Sequence, residues 1–243
     1  MGGIFNLDSP LMQVLGKVAD LMILNILAMI CCIPIVTAGA SLTALHYMSL
    51  KIVRGEESYI ARGFFKSFKQ NFKQATVIWL LILLALFILV ADFYIMQNSG
   101  IEFHIVLKVI IGIGGLLIIF TATYVFAVLA KFDNTIKRTI KNALIMSLLQ
   151  FPKTILMIIM ALVPVAIAVF FPQVLPIVFL FGMSGPALVA ALLYNKFFKK
   201  LEDQVEAANA PDEVEVLENP EEDERIFRDE LDEALIQSEM NKQ

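Results

Sequence analysis

The sequence predicts an all-α, polytopic membrane helix bundle, and three observations lead to this prediction. Hydrophobic residues make up 58% of the 243 residues and charged residues only 17%, whereas a soluble domain carries about 25% charged residues. The apolar residues are gathered in runs long enough to cross a bilayer. Basic residues cluster between these runs, and acidic residues collect at the C-terminus.

The charge divides the chain into a basic body and an acidic tail. Residues 201–243 contain 16 acidic and 3 basic residues, a net charge of −13, and the preceding 200 residues have a net charge of +9. We therefore expect three regions: a membrane helix bundle over residues 1–200, an acidic linker over 201–219 and an acidic amphipathic tail helix over 220–243.

The first predicted span runs from Pro10 to Ile33, after a helix-capping Asp8-Ser9 pair. Lys17, Asp20 and Asn25 interrupt it. Lys17 and Asp20 are three residues apart and share a helix face. These polar residues fit either an ion pair at the inner interface or a polar site that faces a cavity.

The second predicted helix, about Ile35 to Val53, is rich in Ala, Gly, Ser and Thr. Small residues let membrane helices approach closely, so we expect this helix to be buried in the bundle. It is short, near the lower limit for a membrane span.

Two basic segments, Glu56–Lys73 and Lys131–Gln150, are predicted to be cytoplasmic amphipathic connector helices. In the first, Phe64, Phe68 and Phe72 recur every four residues, with cations on other faces. This pattern is typical of an interfacial helix with its apolar face in the lipid boundary. Beside an adjoining span it does not indicate a nucleic-acid partner.

Four further spans are predicted at Ala75–Met96, Ile105–Ala130, Lys153–Phe171 and Leu175–Phe198. Gly182 and Gly185-Pro186 break the last of these. The first two of these spans form a hairpin, and Asp92 and Lys108 both lie near its outer end. They are candidates for a structural ion pair or for a proton-relay site.

The basic residues predict the orientation. Of the 16 in the body, 14 lie at residues 51–73, 131–153 and 196–200, and the turns at 97–104 and 171–174 contain none. The positive-inside rule makes the clustered side cytoplasmic, with the C-terminus inside. A weak internal repeat, in which a connector precedes a span twice, favours six spans with the N-terminus also inside. If the Cys31–Glu57 hairpin only dips into the bilayer, five spans are the alternative, with the N-terminus outside.

No catalytic or cofactor chemistry is visible in the sequence. The two histidines, His46 and His104, are far apart, and the two cysteines, Cys31 and Cys32, are adjacent within an apolar run. No nucleotide-binding or hydrolase motif is present. We therefore expect a protein that is not an enzyme and carries no metal or cofactor.

The tail has its own candidate contact surface. Asn219-Pro220-Glu221-Glu222 is typical of a helix start, and Phe227, Leu231 and Leu235 form an apolar stripe beyond it. This stripe could contact the body's basic connectors or a basic partner. The alternative is a mobile tail that only increases solubility.

Three segments resemble the YesL family, the domain of unknown function numbered 624: PIVTAGASLTALHYMSLKIVRGEE, FFKSFKQNFKQAT and YVFAVLAKFDNTIKRTIKNAL. The similarity covers nearly all of residues 1–200 and does not include the tail. It implies a bacterial, mainly Gram-positive, multi-pass protein of the cell membrane. Members of this family are often encoded beside carbohydrate ABC importers and enzymes of polysaccharide breakdown, and the family has no catalytic residues to transfer.

Two functions from different classes fit these observations. The first is a non-catalytic membrane accessory protein, linked to carbohydrate uptake through ABC transporter subunits or other membrane proteins at its cytoplasmic face. The second is a small transporter or channel. If Lys17, Asp20 and Asn25 line one continuous cavity, the transporter is favoured, and if they are buried in packed helix contacts, the accessory protein is favoured.

Overall fold

The computed structural model describes residues 10–56, 59–99 and 104–209, and every regular element in these ranges is helical. The α-helices are α1 Pro10–Cys32, α2 Ala38–Arg54, α3 Ile60–Asn98, α4 Ile105–Lys131, α5 Ile136–Leu149, α6 Phe151–Phe170, α7 Leu175–Phe181 and α8 Ser184–Asn209. Short 3-10 turns at Ile35–Thr37 and Pro172–Val174 precede α2 and α7. The chain divides into two units within α8, between Lys196 and Phe197. The contacts discussed below lie within the first unit.

The helical architecture confirms the predicted all-α class, and the length and apolarity of several helices agree with a membrane helix bundle. Within the described residues, α3, α4, α6 and α1 from Met12 onward are each long and apolar enough to cross a bilayer. The consecutive helices α7 and α8, bent by 54°, would together make a fifth candidate. The 17-residue α2 is not among these candidates.

Helix α2 lies at the centre of the packed core. It contacts α1, α3 and α4, and residues along its whole length are buried, among them Ala40, Ala44, Leu45 and Met48. The expectation that this small-residue helix is buried is confirmed. The reason is that Ala, Gly and Ser side chains bring neighbouring backbones close enough for dense packing.

The α1–α2 hairpin ends halfway along α3. Within the hairpin, the Ser41 hydroxyl donates a hydrogen bond to the Ala28 carbonyl oxygen at 2.9 Å. At its tip, the Trp79 indole N–H donates to the Ile35 carbonyl oxygen at 2.7 Å. Since α3 runs from residue 60 to residue 98, Trp79 marks its midpoint. The hairpin tip therefore reaches the middle of α3.

The predicted separation of the first connector from the third span is wrong, because both belong to the single 39-residue helix α3. Lys, Gln and Phe after Gly63 are compatible with a helix, and no proline interrupts it before Asn98. The predicted lipid-facing role of Phe64 is also wrong. Its side chain is 0% exposed and packs in the core with Leu24 and Met48.

Unlike the first connector, the second connector forms a helix of its own, α5, which is separate from the span that follows it. Comparison of the two halves of the internal repeat explains why only the second connector is separate. Lys51 and Lys131 are 80 residues apart, as are Lys73 and Lys153. At the same spacing, Pro152 in α6 takes the place of Phe72 in α3. Proline lacks an N–H and clashes with the carbonyl of the preceding helical turn. The chain therefore breaks at Gln150, between α5 and α6, where α3 continues without interruption.

The predicted break at Gly182 is present, since Gly182 and Met183 separate α7 from α8. The predicted break at Gly185-Pro186 is wrong, because both residues lie in the first turn of α8, where proline is tolerated. Helix α8 then continues to Asn209 and so extends into the segment that we interpreted as a linker. The reason is that the Glu, Gln and Ala residues after Leu201 favour a helix and that the next proline is Pro211. The predicted tail helix, with Phe227, Leu231 and Leu235, lies outside the described residues.

Candidate functional site

The central polar feature of the membrane body is the side chain of Asn25 on α1, which is fully buried. Its amide nitrogen donates to the carbonyl oxygen of Phe179 at 2.7 Å. Its amide oxygen accepts from the backbone N–H groups of Met183 at 2.8 Å and Ser184 at 2.9 Å. One side chain of α1 thus binds both sides of the break between α7 and α8.

This arrangement satisfies the backbone groups that a helix break exposes. The last carbonyls and first N–H groups of a helix have no partner within it, and an unsatisfied group away from water costs several kcal/mol in a bilayer. A primary amide can donate and accept at once, so asparagine suits both ends of the break. Asn25 acts as the cap of α8, supplied from another helix.

The other predicted polar residues of α1 do not join Asn25. The side chain of Lys17 is exposed, and that of Asp20 is half-buried. Asp20 lines a separate surface depression with Tyr59 and Arg62, at the start of α3. The three polar residues of α1 therefore do not line one cavity.

Asp92 and Lys108 lie in the outer part of the α3–α4 hairpin. The Asp92 side chain is half-buried, and that of Lys108 is exposed. Neither lines the cavity described next. Their predicted roles, an ion pair or a proton relay, stay predictions.

A cavity of about 440 Å³ lies beside the break, and its walls come from α2, α3, α4, α6 and the start of α8. Three of its lining side chains carry nitrogen or oxygen atoms: His46, Trp79 and Thr123. The Trp79 indole is bonded to Ile35, and the Thr123 hydroxyl donates to the Ile119 carbonyl oxygen of its own helix at 2.9 Å. The cavity therefore presents a mainly apolar surface.

His46 connects this cavity to α8. Its Nδ1 lies 3.3 Å from the Tyr194 hydroxyl, and the two ring centroids are 6.1 Å apart. Eight residues further along α2 and one residue further along α8, Arg54 Nε donates to Asn195 Oδ1 at 2.9 Å. These contacts join the C-terminal half of α2 to α8, so His46 packs between helices.

The described residues offer no metal site. Within residues 10–56, 59–99 and 104–209, no group of three or more His, Cys, Asp or Glu side chains could hold a metal ion. Cys31 and Cys32 are half-buried free thiols at the end of α1. The site combines a hydrogen-bonded helix break with an apolar cavity.

Sequence reasoning identified Asn25 and the break at Gly182 separately and did not connect them. Their partnership is non-local, and no spacing rule relates residues 25 and 184. The available signal was that a broken membrane helix needs a polar partner and that Asn25 is a buried candidate. The cavity left no signal in the sequence, because its lining residues are ordinary apolar membrane residues.

Comparison with known proteins supports the family resemblance for one part of the chain. Residues 21–93 match the family described as "Protein of unknown function, DUF624". No curated protein and no solved structure gave a significant match. The matched segment contains Asn25, the second half of α1, all of α2 and most of α3. This match over residues 21–93 supports the predicted resemblance to the YesL family.

Proposed function

We propose that this protein is a non-catalytic integral membrane accessory protein that binds other membrane proteins through its cytoplasmic face. The observation that carries the proposal is the hydrogen bonding of Asn25. Its amide is fully buried and joins α1 to Phe179, Met183 and Ser184. The most deeply buried polar side chain of α1 thus stabilises a helix break and is not available to a solute.

The cavity also argues against sugar or ion transport. A site for a sugar or an ion needs several converging polar groups. The cavity beside the break instead has apolar walls, and its Trp79 and Thr123 donors are bonded to backbone carbonyls. Lys17 and Asp20 lie outside it.

We propose a topology in which the α1–α2 hairpin does not cross the bilayer and both of its ends face the cytoplasm. Helix α3 has 39 residues and is about 58 Å long, nearly twice the roughly 30 Å hydrocarbon core. The hairpin tip reaches only Trp79 at its midpoint, and the cations of α3 precede that point. The crossing segments are then the second half of α3, α4, α6 and the α7–α8 pair, with both termini cytoplasmic.

The cytoplasmic surface in this topology is basic. Its exposed cations include Lys66, Lys69 and Lys73 on α3 and Lys137, Arg138 and Lys141 on α5. Such a surface suits anionic lipid headgroups and acidic surfaces of neighbouring proteins. The family resemblance names subunits of carbohydrate ABC importers as the partner class.

Site-specific photocrosslinking in native bacterial membranes tests this proposal. A photoreactive amino acid is introduced at Lys66 on α3 or at Lys141 on α5. The matched control is Phe87 on α3, which is 71% exposed on an apolar part of the helix. We expect adducts with ABC importer subunits from both basic positions and none from position 87. If neither basic position yields a protein adduct in cells that express the importers, the accessory role is contradicted.

A small transporter or channel is the second candidate. The 54° bend between α7 and α8, next to a cavity, favours it, because broken helices often form the substrate sites of transporters. Protein-dependent flux would distinguish this candidate from the accessory protein.

A further inference from the structure

We propose that the cavity beside the α7–α8 break is a lipid site that holds one hydrocarbon chain of a membrane phospholipid. This inference is independent of the accessory role, since it concerns the membrane interior and not the cytoplasmic face. It rests on the position of the cavity opening, the chemistry of the walls and the size of the space.

The cavity opens on a surface that is formed by two membrane-crossing candidates. Among its lining residues, Phe126 and Met157 are each 4% exposed, whereas Ile119 on α4 and Leu162 on α6 are 46% and 59% exposed. Both helices are apolar enough to cross the bilayer, so the opening faces hydrocarbon.

The walls favour an apolar occupant over water. The hydroxyl of Thr123 and the indole N–H of Trp79 are bonded to backbone carbonyls, and His46 directs Nδ1 toward Tyr194. A buried water needs two to four polar partners, and apolar cavities stay dry. An empty space of about 440 Å³ would forfeit the dispersion contacts of all its lining atoms.

The surroundings of the cavity favour a lipid chain as its occupant. A flexible acyl chain can enter such a space from the surrounding bilayer, where it is the most abundant apolar group.

The chain contains its own reporter for this proposal. Trp79 is the single tryptophan in the sequence, and it lines the cavity with its ring centroid 6.1 Å from that of Phe126. The full-length protein is reconstituted in vesicles of phosphatidylcholine with brominated acyl chains, which quench indole fluorescence on contact. Unbrominated vesicles give the reference intensity. Ala122→Phe on α4 and Ala161→Phe on α6, two lining positions, fill the cavity independently.

We expect both substitutions to reduce the quenching of Trp79. The matched reporter for ordinary lipid contact is Phe87→Trp combined with Trp79→Phe, since Phe87 is exposed and does not line the cavity. Its quenching should be the same with and without the filling substitutions. If the quenching of Trp79 is unchanged in both filled variants, or falls equally at position 87, the proposal is wrong.

A second probe identifies the source of the chain. Brominated stearic acid is titrated into unbrominated vesicles that contain the wild-type protein. We expect it to quench Trp79 no more than it quenches the reporter at position 87. Saturable quenching at Trp79 alone would assign the site to free fatty acids and overturn the phospholipid assignment.

Discussion

The side-chain amide of Asn25 donates a 2.7 Å hydrogen bond to the carbonyl oxygen of Phe179, 154 residues later in the chain. The oxygen of the same amide accepts two further bonds, from the first residues after the break. A polar residue in an apolar helix thus stabilises a discontinuity in another helix. This contact stabilises the fold more strongly in a membrane than it would in water, because water cannot form hydrogen bonds with the same groups there.

Replacing Asn25 should destabilise the fold strongly. In Asn25→Ala, the carbonyl of Phe179 and the N–H groups of Met183 and Ser184 lose their side-chain partner. Each buried group left unsatisfied costs about 1–3 kcal/mol, so we expect a large drop in the melting temperature in mild detergent.

The matched control for that experiment is Asn98→Ala. Asn98 also donates to a backbone carbonyl, that of Tyr94 at 2.9 Å, but it is exposed near the end of α3. Its replacement should change stability by about 0.5 kcal/mol or less, as for ordinary surface positions. Similar melting temperatures for the two variants would show that Asn25 does not stabilise the break.

The contact between α2 and α3 predicts a second effect. A Cβ atom at Gly39 would lie 2.5 Å from the Ala75 carbonyl oxygen and 2.6 Å from Trp79 Cβ. Gly39→Leu should therefore force the two helices apart and cost about 1–3 kcal/mol, as overpacking does in soluble cores. Gly112→Leu is the control, because nothing lies within 4 Å of a Cβ at that position. Thermal unfolding that is equally affected in the two variants would contradict the close crossing.

The proposed topology makes a prediction about the two ends of the body. A protease-cleavable tag before residue 8 and one inserted after Lys200 should both resist protease added to intact cells stripped of their wall. A tag in the turn at residues 97–104 should be cleaved. An N-terminal tag that is cleaved from outside would show that α1 crosses the bilayer and would restore the five-span alternative.

Hydropathy predicted most of the fold because each crossing segment needs a continuous apolar run. The predicted Ile105–Ala130 span, for example, differs by one residue from the observed α4. We placed a boundary within α3 because the sequence changes there from a segment rich in cations, which ends at Lys73, to an apolar segment. Such a change in composition indicates that the surroundings change from water to lipid along the helix. A change of solvent does not interrupt backbone hydrogen bonds. In the second half of the repeat, Pro152 does interrupt them, and there the predicted boundary is close to the observed one.

The candidate site was less predictable than the fold. Asn25 is predictable as a candidate because it is a polar residue in an apolar run, and the break is predictable from Gly182. The hydrogen bonds between Asn25 and the break depend on how α1 packs against α7, which the sequence does not indicate. The cavity depends on the shapes of five helices together, and its apolar lining residues match those of any membrane helix. Only the three-dimensional arrangement separates these residues from ordinary lipid-facing positions.

The central claim is that the polar residues of the body hold the fold together and do not conduct a solute. The most direct measurement is flux into proteoliposomes that contain the wild-type protein. Radiolabelled mono- and oligosaccharides and a pH-sensitive dye report sugar and proton movement, and a known transporter is reconstituted in parallel as a positive control. We expect rates equal to those of protein-free vesicles under every gradient. Saturable flux of any of these solutes that increases with the amount of protein would contradict the account.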